Sequence, residues 1–196
     1  SQFRFYMIDR HSIIEYRYTM NISEFISTLP SSILKGNSIK MPDNVIRRMF
    51  NLACLDASDI FYDLGCRNSD AIYIASTEYK VKRAIGVEKS KTAVREIVRK
   101  TQKLKNVKVV IDDIRRIDIS DGNVFLLLSN DDRIIHKMIR KFTSELKYGS
   151  KIISIWSPPG LILPDKIDFP FFVSSTPFKF AVSIEEQIKV VYGQKC

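Results

Sequence analysis

Short apolar runs alternate with amphipathic segments from residue 41 onward. Five strands are predicted, at Ile60–Asp63, Ala84–Val87, Val107–Ile111, Val124–Leu128 and Lys151–Ile155. Apolar residues recur at helical spacing between them, which predicts helices over Asp70–Glu78, Lys91–Lys105 and Asp132–Leu146. A further helix is predicted to begin near Pro42. Strands that alternate with helices indicate βαβ units around a buried, mostly parallel sheet.

The two ends of the chain depart from this pattern. Apolar and polar residues alternate over residues 3–20, which predicts an N-terminal β-hairpin with its turn at Asp9–Ser12. We expect this hairpin to pack on the rest of the protein rather than to stack on nucleic-acid bases. After Pro158, two strand-like runs surround Glu185–Glu186 and predict a closing antiparallel hairpin. The predicted organisation is an extension over residues 1–40 (hairpin and connector) followed by one domain over residues 41–196.

Composition is typical of an ordinary globular protein. Of the 196 residues, 45% are hydrophobic, with seven Gly and seven Pro. We expect no membrane span, because no run of 18 apolar residues occurs. Arg4, Asp9 and Arg10 interrupt the apolar residues at the N-terminus, so we expect no secretory signal. Three Cys without CxxC spacing and two His favour neither a disulfide framework nor a metal site. A cytoplasmic protein without metal is expected.

Positive charge is concentrated in one segment of the chain. The formal net charge is +9, and residues 79–116 contain 13 Lys or Arg against four Asp or Glu. A cationic surface favours anionic partners, so nucleic acid or an acidic protein segment is a possible partner of this segment. The plainer interpretation is a solvated helix face.

Polar residues follow each of the first four predicted strands of the domain. The first strand leads into Asp63 and Gly65, and the second ends at Glu88. The third is followed by Asp112 and Asp113, and the fourth by residues 129–131, Ser-Asn-Asp. Ligands of open α/β sheets bind outside the carboxyl ends of the strands. These side chains therefore predict a ligand site at that edge of the sheet.

The residue types at this edge limit the kind of ligand. Glu88 lies 25 residues after Asp63, at a spacing typical of a carboxylate that accepts ribose hydroxyls. A pyrophosphate needs close backbone approach to glycines, but Arg67 and Asp70 stand where GxGxxG has its second and third glycines. A ligand with a ribose and a positive charge fits better. S-adenosylmethionine has both and lacks a phosphate.

The sequence resembles a known family at these motifs. The segments MPDNVIRRMF, DIFYDLGC, AIGVEKS, VVIDDI, FLLLSN and ELKYGSKIIS are similar to those of seven-strand (class I) S-adenosylmethionine-dependent methyltransferases. The closest likeness is to small archaeal protein-lysine methyltransferases, and it extends from Met41 to the C-terminus. The resemblance implies a Rossmann-like α/β fold: a seven-stranded, mostly parallel sheet with helices on both faces and a C-terminal antiparallel hairpin.

The same resemblance assigns roles to residues. It implies a cofactor site formed by Asp63, Gly65, Cys66, Arg67, Glu88, Asp113 and Ile114, and a methyl-transfer site formed by Ser129 and Asn130. Asp63 and Gly65 would hold the methionine part of S-adenosylmethionine. Glu88 would accept the ribose hydroxyls, and the segment at Asp113 would contact the adenine. Trp156, after the fifth strand, is a candidate wall of the pocket.

The chain departs from the family pattern in two places. The family loop is DxGxGxG, but here Arg67 and Ser69 replace the second and third glycines. Arg67 could instead pair with the methionine carboxylate. The segment 40–42, Lys-Met-Pro, replaces the Pro-Thr-Pro of the nearest relatives near the substrate entrance.

The predicted function is methyl transfer from S-adenosylmethionine to lysine side chains of proteins. One alternative is an RNA methyltransferase, for which the basic segment 79–116 is the main support. The other is a degenerate, non-catalytic binding module with the same fold, for which the altered loop is the main support. Asp63 and Glu88 would then only cap the helices that follow them.

Overall fold

The computed structural model describes residues 2–9, 12–19, 41–129 and 131–192. The chain divides into two compact units, Ser1–Val45 and Ile46–Cys196. The strands are β1 (Gln2–Asp9), β2 (Ser12–Thr19), β3 (Ile60–Leu64), β4 (Arg83–Glu88), β5 (Val107–Ile111), β6 (Val124–Leu127), β7 (Lys151–Ile155), β8 (Ile162–Leu163), β9 (Lys166–Asp168), β10 (Phe171–Ser175) and β11 (Lys179–Phe180). The helices are α1 (Asp43–Ala53), α2 (Asp70–Thr77), α3 (Lys91–Thr101), α4 (Asp132–Glu145) and α5 (Ile184–Tyr192).

The first unit contains the predicted hairpin. Strands β1 and β2 pair antiparallel, with Asp9 opposite Ser12 at the turn. The register places Phe3 opposite Tyr18 and Phe5 opposite Tyr16, so the alternation in the sequence was a correct sign of strand pairing. The predicted connector, over residues 26–38, lies outside the described residues.

The second unit is built on a seven-stranded sheet in the order β5-β4-β3-β6-β7-β10-β9. The pairs β3–β4, β4–β5, β3–β6 and β6–β7 are parallel, whereas β10 is antiparallel to both β7 and β9. The chain runs from β3 outward to β5 and then returns to β6 on the other side of β3. The carboxyl ends of β3 and β6 therefore form the switch point of the sheet, where open α/β folds bind ligands. This confirms the predicted fold class.

Apolar residues cover both faces of the central strands. On one face, Tyr62 stacks on Phe125 with ring centroids 5.4 Å apart, and Phe125 contacts Phe142 of α4. On the other face, Phe61 meets the edge of Phe50 from α1 at 5.1 Å. Side chains alternate along a strand, so neighbouring residues 61 and 62 serve opposite faces. The near-continuous burial of β3, β4 and β6 follows from this coverage.

The helices begin with different caps. The Ser90 side chain accepts the backbone N–H of Ala93 and caps α3, and the Asp131 side chain accepts that of Arg133 and caps α4. Helix α2 has Ser69 as its cap residue, in a left-handed conformation and without a side-chain cap hydrogen bond. Helix α3 ends at Thr101, four residues before the predicted end at Lys105.

The position predicted for the C-terminal hairpin is wrong. The antiparallel hairpin of the main sheet is formed by β9 and β10, over residues 166–175. The first predicted run contains β11, which pairs antiparallel with β8, but residues 184–192 form α5. The Ser183 hydroxyl accepts the N–H of Glu186, and the Glu186 carboxylate accepts the N–H of Val182. Ser-x-x-Glu before an apolar run is the capping-box pattern of a helix start. No helix among the described residues is long and apolar enough to cross a membrane.

Candidate functional site

The loop after β3 turns across the end of β4. The backbone N–H groups of Gly65 and Cys66 both donate to the carbonyl of Val87, at 2.9 and 3.1 Å. Gly65 has φ +106°, which favours glycine, and no atom lies within 4 Å of the position that a Cβ would take there. The structure therefore leaves open space directly above the glycine that the sequence assigned to the cofactor.

Asp63 precedes this glycine and is the carboxylate with the most unusual surroundings. It is 7% exposed, and its carboxylate accepts no hydrogen bond from the residues that the structure describes. Burial, with a smaller contribution from the charge of Glu88, raises the pKa of Asp63 to about 7. A buried acid without an internal donor is costly to ionise. A cationic, hydrogen-bond-donating ligand group at this point would remove that cost.

Two carboxylates at the opposite edge of the sheet, the buried Asp59 and the exposed Asp121, have partners within the protein. Asp59, immediately before β3, accepts the N–H of Asp56 at 2.8 Å and the amide of Asn123 at 2.6 Å. Asp121 accepts the hydroxyl of Tyr62 at 2.6 Å and pairs with Arg83. Asp63 differs from both in accepting no hydrogen bond from the described residues, which makes the carboxyl edge the candidate place for a ligand.

Glu88 has both a local and an available function. Its Oε1 accepts the N–H of Ser90 at 2.8 Å, next to the first turn of α3. The alternative interpretation, a carboxylate that orders the start of a helix, is therefore correct for that oxygen. Its Oε2 accepts no hydrogen bond from the described part of the chain, so it can accept hydroxyl groups of a ligand.

The predicted adenine segment carries an acid that is already paired. The Asp113 carboxylate accepts the Nε of Arg115 at 2.8 Å, pairs with its Nη2, and accepts its backbone N–H at 3.0 Å. These hydrogen bonds hold the pKa of Asp113 well below its ordinary value. Ile114 is half-buried and packs against the core. The sequence analysis missed the Arg115 partner, although its place two residues after Asp113 was the available sign.

Cys66 is directed into the fold rather than toward chemistry. It is 2% exposed, and its Sγ lies 2.6 Å from the position that a Cβ on Gly86 would take. Burial and the nearby acids Asp63 and Glu88 raise the pKa of its thiol. A thiol held neutral in this way is a poor nucleophile.

The two residues that replace the family glycines differ in their backbone. Ser69 has φ 69° and so occupies the left-handed region, whereas Arg67 is not among the described residues with positive φ. Only Ser69 therefore carries strain, at a cost of about 1–3 kcal/mol. The Arg67 side chain is exposed and makes no ion pair or hydrogen bond with the described residues, so its guanidinium can accept an anionic ligand group.

Ser129 follows β6 by two residues, and Trp156 directly follows β7. The Ser129 hydroxyl accepts the N–H of Asp131 at 3.3 Å. Asn130, the other predicted methyl-transfer residue, lies outside the described residues. Trp156 has φ 71°, a left-handed conformation that it shares with Ser69 at this edge of the sheet and that could not be predicted from its residue type. No group of three His, Cys, Asp or Glu among the described residues is placed to hold a metal ion.

Comparison with known proteins gives one sequence relative and a clear fold match. No protein-family model matches the sequence. A protein-lysine N-methyltransferase of Saccharolobus islandicus (strain REY15A) is 30% identical over 135 residues, which cover 63% of this chain and 82% of that protein. An RNA methyltransferase from Salinibacter ruber, solved with S-adenosyl-L-homocysteine, has a TM-score of 0.67 at 22% identity, covering 74% of this chain and 98% of that one. The second match shows the fold alone.

Proposed function

Because the chain belongs to the family of the Saccharolobus protein-lysine N-methyltransferase, within the class I S-adenosylmethionine-dependent methyltransferases, we propose that it methylates lysine side chains of proteins. The observation that supports a working cofactor site is Asp63, a buried carboxylate that accepts no hydrogen bond from the described residues and that lies near the open space at Gly65. The choice of lysine as acceptor rests on the sequence relative. S-adenosylmethionine would supply an activated methyl group when bound.

The residues at the carboxyl edge fit this cofactor. Ionised Asp63 would accept the ammonium of its methionine part, and Arg67 would pair with the carboxylate. Glu88 would accept ribose hydroxyls through Oε2 while Oε1 keeps the Ser90 N–H. Asp113 and Ile114 would flank the adenine, with Asp113 held in place by Arg115.

The reaction needs an amine that is aligned and neutral. The lysine ammonium would first lose a proton to water. Its nitrogen lone pair would then bond to the methyl carbon while the carbon–sulfur bond breaks and the electron pair of that bond stays on sulfur. Alignment of the reacting atoms can provide much of the rate enhancement. Burial of the acceptor amine lowers its pKa and favours the neutral form, so a dedicated general base is not required. Ser129 and Asn130 are our candidates for orienting the amine.

Incorporation of labelled methyl tests the acceptor class. The purified chain is mixed with tritium-labelled S-adenosylmethionine and a cell extract divided into ribonuclease-treated and protease-treated halves. We expect label in the ribonuclease-treated half, and mono-, di- or trimethyl-lysine in its hydrolysate. Label confined to the protease-treated half would assign the activity to RNA and overturn the lysine proposal.

RNA methylation is the second candidate because of the basic segment 79–116. Lys91, Arg95, Arg99 and Lys100 are all exposed on α3. Phosphate contacts made by such residues give binding that weakens steeply with salt. An RNA affinity that falls by about 10³ or more between 50 and 200 mM salt, which corresponds to six or more phosphate contacts, would favour this candidate. Titration with S-adenosylhomocysteine distinguishes either enzyme from a non-catalytic module that has lost the cofactor site. Bound S-adenosylhomocysteine would raise the thermal stability of an enzyme but not that of such a module.

A further inference from the structure

Two aromatic side chains stand at the carboxyl edge of the sheet, on the side of β3 opposite to the predicted cofactor residues. Trp156 follows the last residue of β7, and its ring lies 5.7 Å from that of Phe169 at an interplanar angle of 75°. Phe169 precedes β10, whose first residue, Phe171, pairs with Ile155 at the end of β7. The antiparallel pairing therefore brings both rings to the edge that carries Asp63 and Gly65.

The strand order separates the two halves of this edge. Asp63, Glu88 and Asp113 end or follow β3, β4 and β5, which lie side by side. Ser129 and Trp156 follow β6 and β7, on the other side of β3. Neighbouring strands are about 4.8 Å apart, so the end of β7 is roughly 10 Å from the end of β3. A nucleoside that occupies the first half leaves the second half for the acceptor.

The aromatic pair is held by its own network of contacts. Arg48 of α1 donates to both carboxylate oxygens of Asp168, at 2.6 and 2.5 Å, and to the carbonyl of Phe169 at 2.9 Å. The backbone N–H of Trp156 donates to the carbonyl of Pro170 at 2.8 Å. The segment that carries Phe169 is thus attached to α1 and to the end of β7, which restricts where the rings can move.

The backbone of Trp156 gives an independent reason to assign it a function. A bulky residue rarely adopts φ 71°, where glycine would be unstrained. Its neighbours Ile152 and Ile153 are fully buried in β7, but Trp156 is only half-buried. Strained conformations of this kind cluster at ligand sites. Trp156 therefore places a large aromatic ring at a position where the backbone conformation favours glycine.

On the basis of the proposed function, we propose that Trp156 and Phe169 form the wall against which the acceptor lysine packs. The four-carbon stem of a lysine packs favourably on apolar surface while its amino group remains in polar surroundings. Once the stem is packed, the wall excludes water from the amine and favours loss of its proton, which leaves the nitrogen lone pair free to attack the methyl carbon.

The main test removes each ring without straining the backbone further. Trp156→Gly suits φ 71° and deletes the indole, Trp156→Phe keeps an aromatic ring, and Phe169→Leu tests the second ring separately. Tyr148→Ala is the matched control, because Tyr148 is 89% exposed and precedes β7, at the opposite edge of the sheet. The measurements are the initial rate of methyl incorporation into ribonuclease-treated protein extract and the Kd of S-adenosylhomocysteine by calorimetry.

We expect Trp156→Gly to lower the rate of incorporation by about tenfold to a hundredfold, as for a misplaced acceptor, and to change the Kd of S-adenosylhomocysteine by less than about twofold. Phe169→Leu should lower the rate in the same direction, whereas Trp156→Phe and Tyr148→Ala should stay near the wild type. The split between rate and cofactor affinity separates an acceptor wall from a merely structural ring.

Three results would contradict the proposal of an acceptor wall. One is a wild-type rate of methyl incorporation in a folded Trp156→Gly variant. Another is a loss of affinity for S-adenosylhomocysteine in that variant as large as its loss of rate. The third is loss of incorporation into the protease-treated, RNA-containing half, which would show that the rings stack on a base instead. If Trp156→Gly does not fold, Phe169→Leu decides by the same measurements. A wild-type protein that binds S-adenosylhomocysteine but labels no protein lysine would instead refute the proposed function.

Discussion

Asp63→Asn should make the ligand-free protein more stable at pH 8, which is the opposite of the usual effect of changing a buried polar residue. The carboxyl is 7% exposed, and burial and Glu88 raise its pKa from 3.8 to about 7. The unfolded chain ionises this group near pH 4, but the folded chain resists ionisation until about pH 7. The free energy of unfolding is therefore highest, as far as Asp63 is concerned, below pH 4, and it decreases as the pH rises from 4 to 7.

The magnitude follows from the size of that shift. The rise in the pKa from 3.8 to about 7 lowers the unfolding free energy of the wild type above pH 7 by roughly 4 kcal/mol. The asparagine amide must itself be buried without an assured partner, which offsets roughly 1–3 kcal/mol. We expect Asp63→Asn to raise the free energy of unfolding at pH 8 by about 1–3 kcal/mol and to lower it by about 1–3 kcal/mol near pH 4, where the amide cost remains and there is almost no ionisation penalty to remove.

The assay is urea unfolding of the ligand-free protein at several values between pH 4 and pH 8. Asp59→Asn is the matched control, since Asp59 is a buried acid at the other end of the same strand whose oxygens accept two internal hydrogen bonds. It should lower the stability at pH 8 by about 1–3 kcal/mol. The stabilisation by S-adenosylhomocysteine should increase with pH in the wild type and be largely lost in Asp63→Asn.

A single pattern would refute this reasoning. If Asp63→Asn is less stable than the wild type by the same amount at pH 5 and pH 8, the carboxylate has an internal partner and is ionised throughout. The site would then lack the unsatisfied acid on which the cofactor assignment rests.

Three further changes test neighbouring positions. Ser69→Gly should be about 1 kcal/mol more stable than Ser69→Ala in urea unfolding, because φ 69° disfavours any side chain; equal stabilities would contradict the left-handed backbone. Glu88→Gln should weaken S-adenosylmethionine binding in calorimetry by about 1.5–3 kcal/mol and move the pH dependence of stability downward, since Glu88 contributes to the raised pKa of Asp63. Arg67→Ala should weaken binding of S-adenosylhomocysteine by about 1–2 kcal/mol and leave adenosine binding unchanged; unchanged affinity for both would exclude the carboxylate contact.

The sheet and its acidic edge could be predicted because both depend on local patterns. Strands buried on both faces are continuous apolar runs, and their ends are marked by the first polar residue. Strands β5 and β7 have the predicted bounds, and β3 extends only one residue further. Asp63 and Glu88 were identified as the acids that follow such runs, which required no knowledge of their neighbours.

The surroundings that make those acids candidate site residues could not be predicted, because they depend on contacts between distant parts of the chain. The sequence does not show that Asp59 has Asn123 as a partner while Asp63 has none, since residues 59 and 123 are 64 positions apart. It treats Arg67 and Ser69 as equal replacements for glycine, although only Ser69 has a left-handed backbone. The same reasoning applies to α5. Alternating apolar and polar residues suggested a strand there, but the capping hydrogen bonds of Ser183 and Glu186 begin a helix. The candidate site is therefore recognised by comparing two acids of one strand region, because the Asp59 carboxylate accepts two internal hydrogen bonds and the Asp63 carboxylate accepts none from the described residues.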